Sequence, residues 1–130
     1  MGVTKSAKIL IVEDSPSQAA IIATVVKQAG HSAVVYSQLP MGITQILSLE
    51  QPDLVLLDLR LLDAEGKPMA DGFQLCREIK RSTKSVPVIV VSAEGDEEAC
   101  EWAVFQGADA YLQKPFAVED LTALVEQVLR

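Results

Sequence analysis

The sequence predicts an α/β fold, a doubly wound parallel sheet of five strands with five helices on its two faces. Two observations predict this class. Short apolar runs alternate with segments of helical periodicity along the chain. The runs are apolar at consecutive positions, which is typical of strands buried on both faces of a parallel sheet. Each helix is then a crossover that must pack back on the sheet.

The first half of the chain carries clear element boundaries. Ser15 is a suitable N-cap and Pro16 a suitable first helical residue, and the apolar helical spacing after them stops at Gly30. A shorter helical pattern surrounds Ile43, Ile46 and Leu47, before Pro52. The strands predicted here are Ile9–Val12, Ala33–Tyr36 and Asp53–Leu57.

The second half repeats the alternation. Helices are predicted at about Gly72–Lys80, at about Asp96–Gln106 and from Val118 to the last residue. Strands are predicted at Val86–Val91, closing on Ser92, and at Ala110–Leu112. In the fourth helix, Ala99, Cys100, Ala103 and Val104 form the apolar face, whereas Trp102 and Phe105 point away from it.

Composition limits the possible functions. The 130 residues are 49% hydrophobic and carry a net charge of −7, which is typical of one globular domain and excludes a disordered chain. No basic run offers a phosphate-binding surface, so we expect no direct nucleic-acid contact. No apolar run approaches a membrane span, so we expect a cytoplasmic protein. Cys76 and Cys100 are expected to be free thiols.

Charged and polar residues end four of the predicted strands. Ligands of such sheets bind beyond the carboxyl ends of the strands, so Glu13, Asp14, Asp58, Ser92 and Lys114 should face one crevice. Carboxylates this close repel one another, which raises the pKa of at least one unless a cation is bound. Carboxylate oxygens favour magnesium, which keeps several waters and often bridges to phosphate.

These residues carry a resemblance to a known family. The matching motifs are Glu13-Asp14 with Ser15-Pro16, Asp58 at a strand end, Ser92-Ala93, and Tyr111 three residues before Lys114-Pro115. Together they resemble the receiver (CheY-like) domains of two-component response regulators, over Lys8 to Leu129. The resemblance implies a flavodoxin-like strand order of 2-1-3-4-5. It also implies that residues 1–130 form a single receiver domain.

The resemblance implies specific site roles. Asp58 would accept a phosphoryl group from a phosphohistidine, acting as a phosphoacceptor that catalyses its own transfer and dephosphorylation and not as a conventional enzyme. Mg²⁺ would be held by Glu13, Asp14, Asp58 and the backbone carbonyl of Arg60. The metal and Lys114 would neutralise charge on the phosphoryl group.

A switch and a set of partners are also implied. Ser92 would bond to the phosphoryl group and Tyr111 would move, altering the face formed by the fourth helix, fifth strand and fifth helix. The Lys114-Pro115 peptide is expected to be cis. The expected partners are a sensor histidine kinase or histidine phosphotransfer protein, a downstream target or output domain, and a possible second copy in a homodimer. The candidate partner face comprises Cys100, Trp102, Val104, Phe105 and Tyr111.

Each feature has a simpler explanation when taken singly. Glu13-Asp14 equally suits an acidic helix N-terminus. Ser92 and Lys114 are ordinary turn and surface residues when taken alone. Tyr111 is compatible with simple half-burial, and Trp102 is compatible with packing under a neighbouring loop. The joint occurrence of the strand-end residues is what favours the signalling function.

Other functions fit the sequence less well. A receiver-like binding module that needs no phosphorylation is the main alternative. An aspartate-nucleophile phosphatase would place a second acid where Arg60 stands. A dinucleotide-binding domain would need glycine in the first turn, and residues 13–17 contain none.

The sequence departs from the family pattern after Asp58. Receivers usually have glycine eight residues beyond the acceptor, where Gly66 stands, but the helical pattern begins only at Gly72. The segment Leu59 to Asp71 is therefore predicted to be a polar loop about six residues longer than usual. The cation of Arg60 is expected at the mouth of the site, where it would alter the lifetime of the acyl phosphate.

His31 is expected to be a surface turn residue.

Overall fold

The computed structural model describes residues 6–62, 65–83, 85–92 and 97–130, with the side chains of residues 60, 62, 68–71, 97, 99, 100 and 105 left out of that description. Its strands are β1 (Lys8–Val12), β2 (Ser32–Tyr36), β3 (Leu54–Asp58), β4 (Arg60–Leu62), β5 (Pro68–Asp71), β6 (Val88–Ser92) and β7 (Ala110–Gln113). Its helices are α1 (Pro16–Gln28), α2 (Ile43–Glu50), α3 (Gly72–Ser82), α4 (Glu97–Phe105) and α5 (Val118–Leu129).

Five parallel strands form the central sheet in the order β2-β1-β3-β6-β7. Counted among these strands alone, the order is 2-1-3-4-5, so the predicted fold class is confirmed. The chain leaves β1 for β2 on one side and later adds β3 on the other side of β1. The β1 and β3 ends therefore flank the point where the winding reverses, which is where such sheets bind ligands.

Two apolar layers cover the sheet. The side chains of α1 and α5 pack on one face, and those of α2, α3 and α4 pack on the other. Strands β3 and β6 are buried at every position, because both of their faces are covered. This explains why the sequence shows continuous apolar runs and no alternation in these two strands.

Helix α1 begins and ends as its sequence predicts. The Ser15 hydroxyl accepts a hydrogen bond from the Gln18 backbone N–H at 3.4 Å, and Pro16 is the first helical residue. Gly30 follows the helix with a φ of 99°, a conformation that costs glycine little. The start of α1 is thus fixed directly after Glu13 and Asp14.

The prediction for His31 is wrong. Its side chain is 5% exposed, and its Nδ1 accepts a hydrogen bond from the Ala7 backbone N–H at 3.0 Å. The chain turns back at this point to begin β2, which covers the imidazole with the segment before β1. A position beside a helix-ending glycine is typical of exposed residues, but the bond to Ala7 holds this imidazole against the segment before β1.

The segment after β3 was predicted to be a polar loop, and this prediction is partly wrong. The segment contains an antiparallel β-hairpin formed by β4 and β5. Arg60 pairs with Asp71 and Leu61 with Ala70. Leu61 is 1% exposed, so the hairpin is anchored to the core by one of its own side chains. Helix α3 begins at Gly72, as predicted.

The apolar face predicted for α4 is partly wrong. Ala103 is fully buried, but Val104 is 59% exposed. Successive helical residues point about 100° apart, so the narrow contact that buries Ala103 leaves Val104 in solvent.

The thiol of Cys76 in α3 is free and buried, and burial raises its pKa to about 11.

Candidate functional site

The strand register brings the predicted site residues to one edge of the sheet. Asp58 is the last residue of β3 and lies opposite Val91 of β6, so Ser92 follows immediately on the neighbouring strand. Ser92 in turn pairs with Gln113 of β7, directly before Lys114. Glu13 and Asp14 follow β1, the other neighbour of β3.

Three carboxylates meet at this edge. Glu13, Asp14 and Asp58 each offer an oxygen atom, and these atoms lie within 4.8 Å of one another. Glu13 is 2% exposed and Asp58 is 8% exposed, while Asp14 is intermediate. Buried negative charge of this density requires either a compensating cation or the protonation of one of the carboxylates.

Lys114 supplies part of that compensation. Its Nζ donates to Glu13 Oε1 at 2.7 Å and lies 3.6 Å from Asp58 Oδ2, an ion pair slightly longer than a hydrogen bond. The Lys114 side chain as a whole is 21% exposed. One positive charge is thus shared between two buried carboxylates.

The charged form of Glu13 is disfavoured even though Lys114 is its partner. Burial, followed by the influence of Asp58, raises the pKa of Glu13 to about 8, and Lys114 opposes this rise. The other carboxylate oxygen, Oε2, accepts from the Ser15 backbone N–H at 3.3 Å. A second cation at the site would favour the charged form of Glu13.

A backbone hydrogen bond fixes the main chain of Lys114 beside the end of β6. The Lys114 N–H donates to the Ser92 carbonyl at 2.6 Å, and the Lys114-Pro115 peptide is cis, as predicted. The Ser92 side chain is 2% exposed at the end of β6. Ser92 and Lys114 are therefore tied to each other beside Asp58.

Gln18 is a site contact that the sequence does not predict. Its Oε1 accepts from Lys114 Nζ at 2.5 Å, although the residues are 96 positions apart. A pattern that could have drawn attention to it is the Ser15-x-x-Gln18 spacing at the start of α1, which marks a polar side chain near the strand ends.

Two predicted residues flank this cluster. Arg60 begins β4 two residues beyond Asp58, and its side chain lies outside the described part of the structure. Tyr111 lies in β7 and is half-buried against the core face that α2, α3 and α4 cover. Ala93 also lies outside the described residues.

The candidate partner face is partly described. Trp102 is 55% exposed and Val104 is 59% exposed. Between α3 and α4 lies an open cavity of about 290 Å³, lined by Phe73, Gln74, Arg77, Trp102 and Gln106. The side chains of Cys100 and Phe105 lie outside the description.

The donor set fits a hard divalent cation. Magnesium ligands stand 2.0–2.1 Å from the metal, so opposite ligands are about 4.2 Å apart. One carboxylate oxygen from each of Glu13, Asp14 and Asp58 lies within 4.8 Å of the other two, so the three are near enough to share one cation. A carboxylate has about four acceptor positions, so Glu13 retains capacity for a metal-bound water beside its two existing bonds.

Comparison with known proteins gives a consistent result. The family model described as response regulator receiver domain matches residues 9–126. The chain is 35% identical over 127 residues to the DNA-binding dual master transcriptional regulator RpaA of Synechocystis, covering 95% of this chain and 49% of RpaA. It is 33% identical over 125 residues to the phosphate regulon regulator PhoB of Escherichia coli, covering 95% and 52%. The chain thus spans about half the length of these curated relatives.

Solved structures match over nearly their full length. The receiver domain of NtrX from Brucella abortus has a TM-score of 0.82 at 28% identity, with 93% of this chain and 97% of that chain covered. The BeF3-activated N-terminal receiver domain of Klebsiella pneumoniae RstA has a TM-score of 0.79 at 30% identity, with 95% and 98% covered. Among the residues that the structure describes, no helix combines the length and apolarity needed to cross a membrane.

Proposed function

The chain belongs to the family of response regulator receiver domains of two-component systems, and from that premise we propose that Asp58 is its phosphoacceptor. One observation carries the proposal. Asp58 ends β3 within 4.8 Å of two further carboxylates and 3.6 Å from the Lys114 ammonium. A buried acid in this setting gains nothing from packing, whereas it is well placed to attack a phosphoryl group beside fixed positive charge.

The proposed reaction is phosphoryl transfer to a carboxylate. An Asp58 oxygen attacks the phosphorus of a phosphohistidine, the P–N bond breaks, and its electron pair leaves with the imidazole. An acyl phosphate forms on Asp58. Lys114 stabilises the charge on the phosphoryl oxygens, since its ammonium already lies 3.6 Å from Asp58 Oδ2. In this proposal, the chain also catalyses its own dephosphorylation.

Mg²⁺ is the proposed cofactor. Asp14, Asp58 and the backbone carbonyl of Arg60 would hold it, with Glu13 contributing directly or through a bound water. When bound, the cation neutralises carboxylate charge and charge on the transferred group. The raised pKa of Glu13 supports a site that is completed by a second cation beside Lys114.

Ser92 and Tyr111 are the proposed switch residues. Phosphorylation adds charge of about −1.5 to −2 and three acceptor oxygens, which the neighbouring Ser92 hydroxyl can meet. Tyr111 is half-buried on the same pair of strands, so movement at the end of β6 reaches it through the sheet. The readout face would be α4, β7 and α5, where Trp102 and Val104 are exposed.

The proposed partners follow from the same chemistry. A sensor histidine kinase or histidine phosphotransfer protein would supply the phosphoryl group. A downstream target, an output domain or a second copy of this chain would dock on the readout face. Relatives such as RpaA are named DNA-binding regulators, but this acidic chain of net charge −7 is proposed to regulate and not to contact nucleic acid itself.

Beryllofluoride, a stable analogue of a phosphoryl group, tests the proposal against a binding module that needs no phosphorylation. Two-dimensional NMR spectra are recorded with Mg²⁺ alone and with Mg²⁺ plus beryllofluoride. We expect the second addition to shift amide signals near Asp58, Ser92 and Tyr111 in the wild type and to have no effect on Asp58→Asn. Identical spectra in the wild type would favour the module.

A further inference from the structure

Gln18 reaches across the site although its position in α1 suggests a local role. It is the third residue of the helix, after Pro16 and Ser17. Its side-chain Oε1 accepts a hydrogen bond from Lys114 Nζ at 2.5 Å. This bond joins the first turn of α1 to Lys114, the residue that follows β7 and lies beside Asp58.

Glu13 fills the helix-capping role that a glutamine at the Gln18 position usually has. In a Ser-x-x-Gln start, the glutamine side chain normally accepts from the backbone N–H of the capping serine. Here the Ser15 N–H donates to Glu13 Oε2 at 3.3 Å. Glu13 thereby completes the cap, and the Gln18 amide is available for the ammonium of Lys114.

Glu13 and Gln18 together orient that ammonium. A lysine ammonium has three N–H donors on a flexible stem with four carbons. Two of the donors have short acceptors, Glu13 Oε1 at 2.7 Å and Gln18 Oε1 at 2.5 Å. Asp58 Oδ2 lies farther away, at 3.6 Å, which is too long for a hydrogen bond, so the remaining donor is placed to bond to a phosphoryl oxygen that arrives beside Asp58.

We propose that Gln18 is a positioning residue for phosphoryl transfer, which holds the Lys114 ammonium at the distance from Asp58 that suits an incoming phosphoryl oxygen. The inference rests on the proposed function. Without the Gln18 acceptor, the exposed side of the ammonium binds water and samples several rotamers. Transfer then needs an ordering step before the charge can be stabilised.

The test compares two substitutions of one type in the same helix. Gln18→Met removes the acceptor and keeps the length of the side chain, and Gln28→Met makes the same change at the exposed far end of α1. With Mg²⁺ and acetyl phosphate as donor, we expect Gln18→Met to be phosphorylated about threefold to tenfold more slowly than the wild type, which corresponds to the net free energy of about one typical hydrogen bond. Gln28→Met is expected to match the wild type.

A second measurement separates positioning from structure. The ¹⁵Nζ signal of Lys114 is recorded without Mg²⁺ or phosphodonor, together with the melting temperature. We expect Gln18→Met to lose the ordered ammonium signal with less than a few degrees of change in melting temperature. Gln18→Glu, which keeps an acceptor oxygen at the same reach, should retain the signal and recover more of the rate than Gln18→Met.

The outcomes are distinct. Equal phosphorylation rates for the wild type and Gln18→Met, or an unchanged Lys114 signal in that variant, would overturn the inference and leave the phosphoacceptor assignment intact. If the wild type itself gains no phosphoryl group while its Lys114 signal is ordered, the proposed function fails and the inference falls with it. A slow Gln18→Met with an equally slow Gln28→Met would show a helix effect and would also overturn it.

Discussion

Gly72 packs directly on the backbone of Leu59. A Cβ atom at Gly72 would lie 2.5 Å from Leu59 Cα and 2.8 Å from the Leu59 carbonyl oxygen, closer than real Cβ atoms approach backbone, and 3.0 Å from the Asp58 carbonyl oxygen. The first residue of α3 therefore lies against the backbone of Asp58, the proposed phosphoacceptor, and of the residue after it. Glycine is required here by space and not by a positive φ.

Gly72→Ala is expected to push Asp58 and Leu59 out of place. We expect an overpacking cost of about 1–3 kcal/mol in urea unfolding and slower phosphorylation by acetyl phosphate. Gly42→Ala is the control, because a Cβ there would meet only the Gln45 side chain at an ordinary 3.7 Å. Equal effects of the two substitutions would contradict the close packing.

Without Mg²⁺, stability should fall as the pH rises from about 5 to about 8. The pKa of Glu13 is about 8 in the folded protein against an ordinary 4.5, so in this window the folded state binds more protons than the unfolded state. Unfolding free energy therefore decreases with pH. Urea titrations across the window measure this slope, and Glu13→Gln should reduce it. A slope that Glu13→Gln leaves unchanged would assign the effect to other groups.

Mg²⁺ should stabilise the protein more at pH 8 than at pH 6, because binding competes with protonation of Glu13. The expected result is a melting temperature that rises with Mg²⁺ concentration. Asp14→Asn should reduce the rise, whereas Glu101→Gln, an exposed acid on α4, should not. A loss of the effect in both variants would indicate general screening of negative charge and no defined site.

Trp102→Ala should change stability by less than about 1 kcal/mol, because the side chain is 55% exposed. Leu121→Ala, fully buried in α5, is the comparison and should cost about 2–5 kcal/mol. Urea unfolding of both variants measures the difference. A large loss of stability in Trp102→Ala would place this residue in the core and remove it from the proposed partner face.

The sheet could be predicted because its signals are local. Continuous apolar runs identify β3 and β6, and Ser15, Pro16 and Gly30 identify the ends of α1. The convergence of Glu13, Asp58 and Lys114 follows once parallel strands are assumed, since parallel strands end at one edge.

The features that were missed depend on contacts distant in sequence. His31 is buried by the chain before β1, and the bond from Lys114 to Gln18 spans 96 positions. The hairpin of β4 and β5 lacks a two-residue turn signal, because five residues separate its strands. Helical spacing predicts which side of α4 faces the core, but it does not predict how wide the buried face is, and Val104 lies outside that face.

The most direct test of the central claim is the intact mass of the protein after incubation with Mg²⁺ and acetyl phosphate. We predict that the wild type gains the mass of one phosphoryl group and that Asp58→Asn gains none. A gain in both proteins, or in neither, would contradict the assignment of Asp58 as the phosphoacceptor.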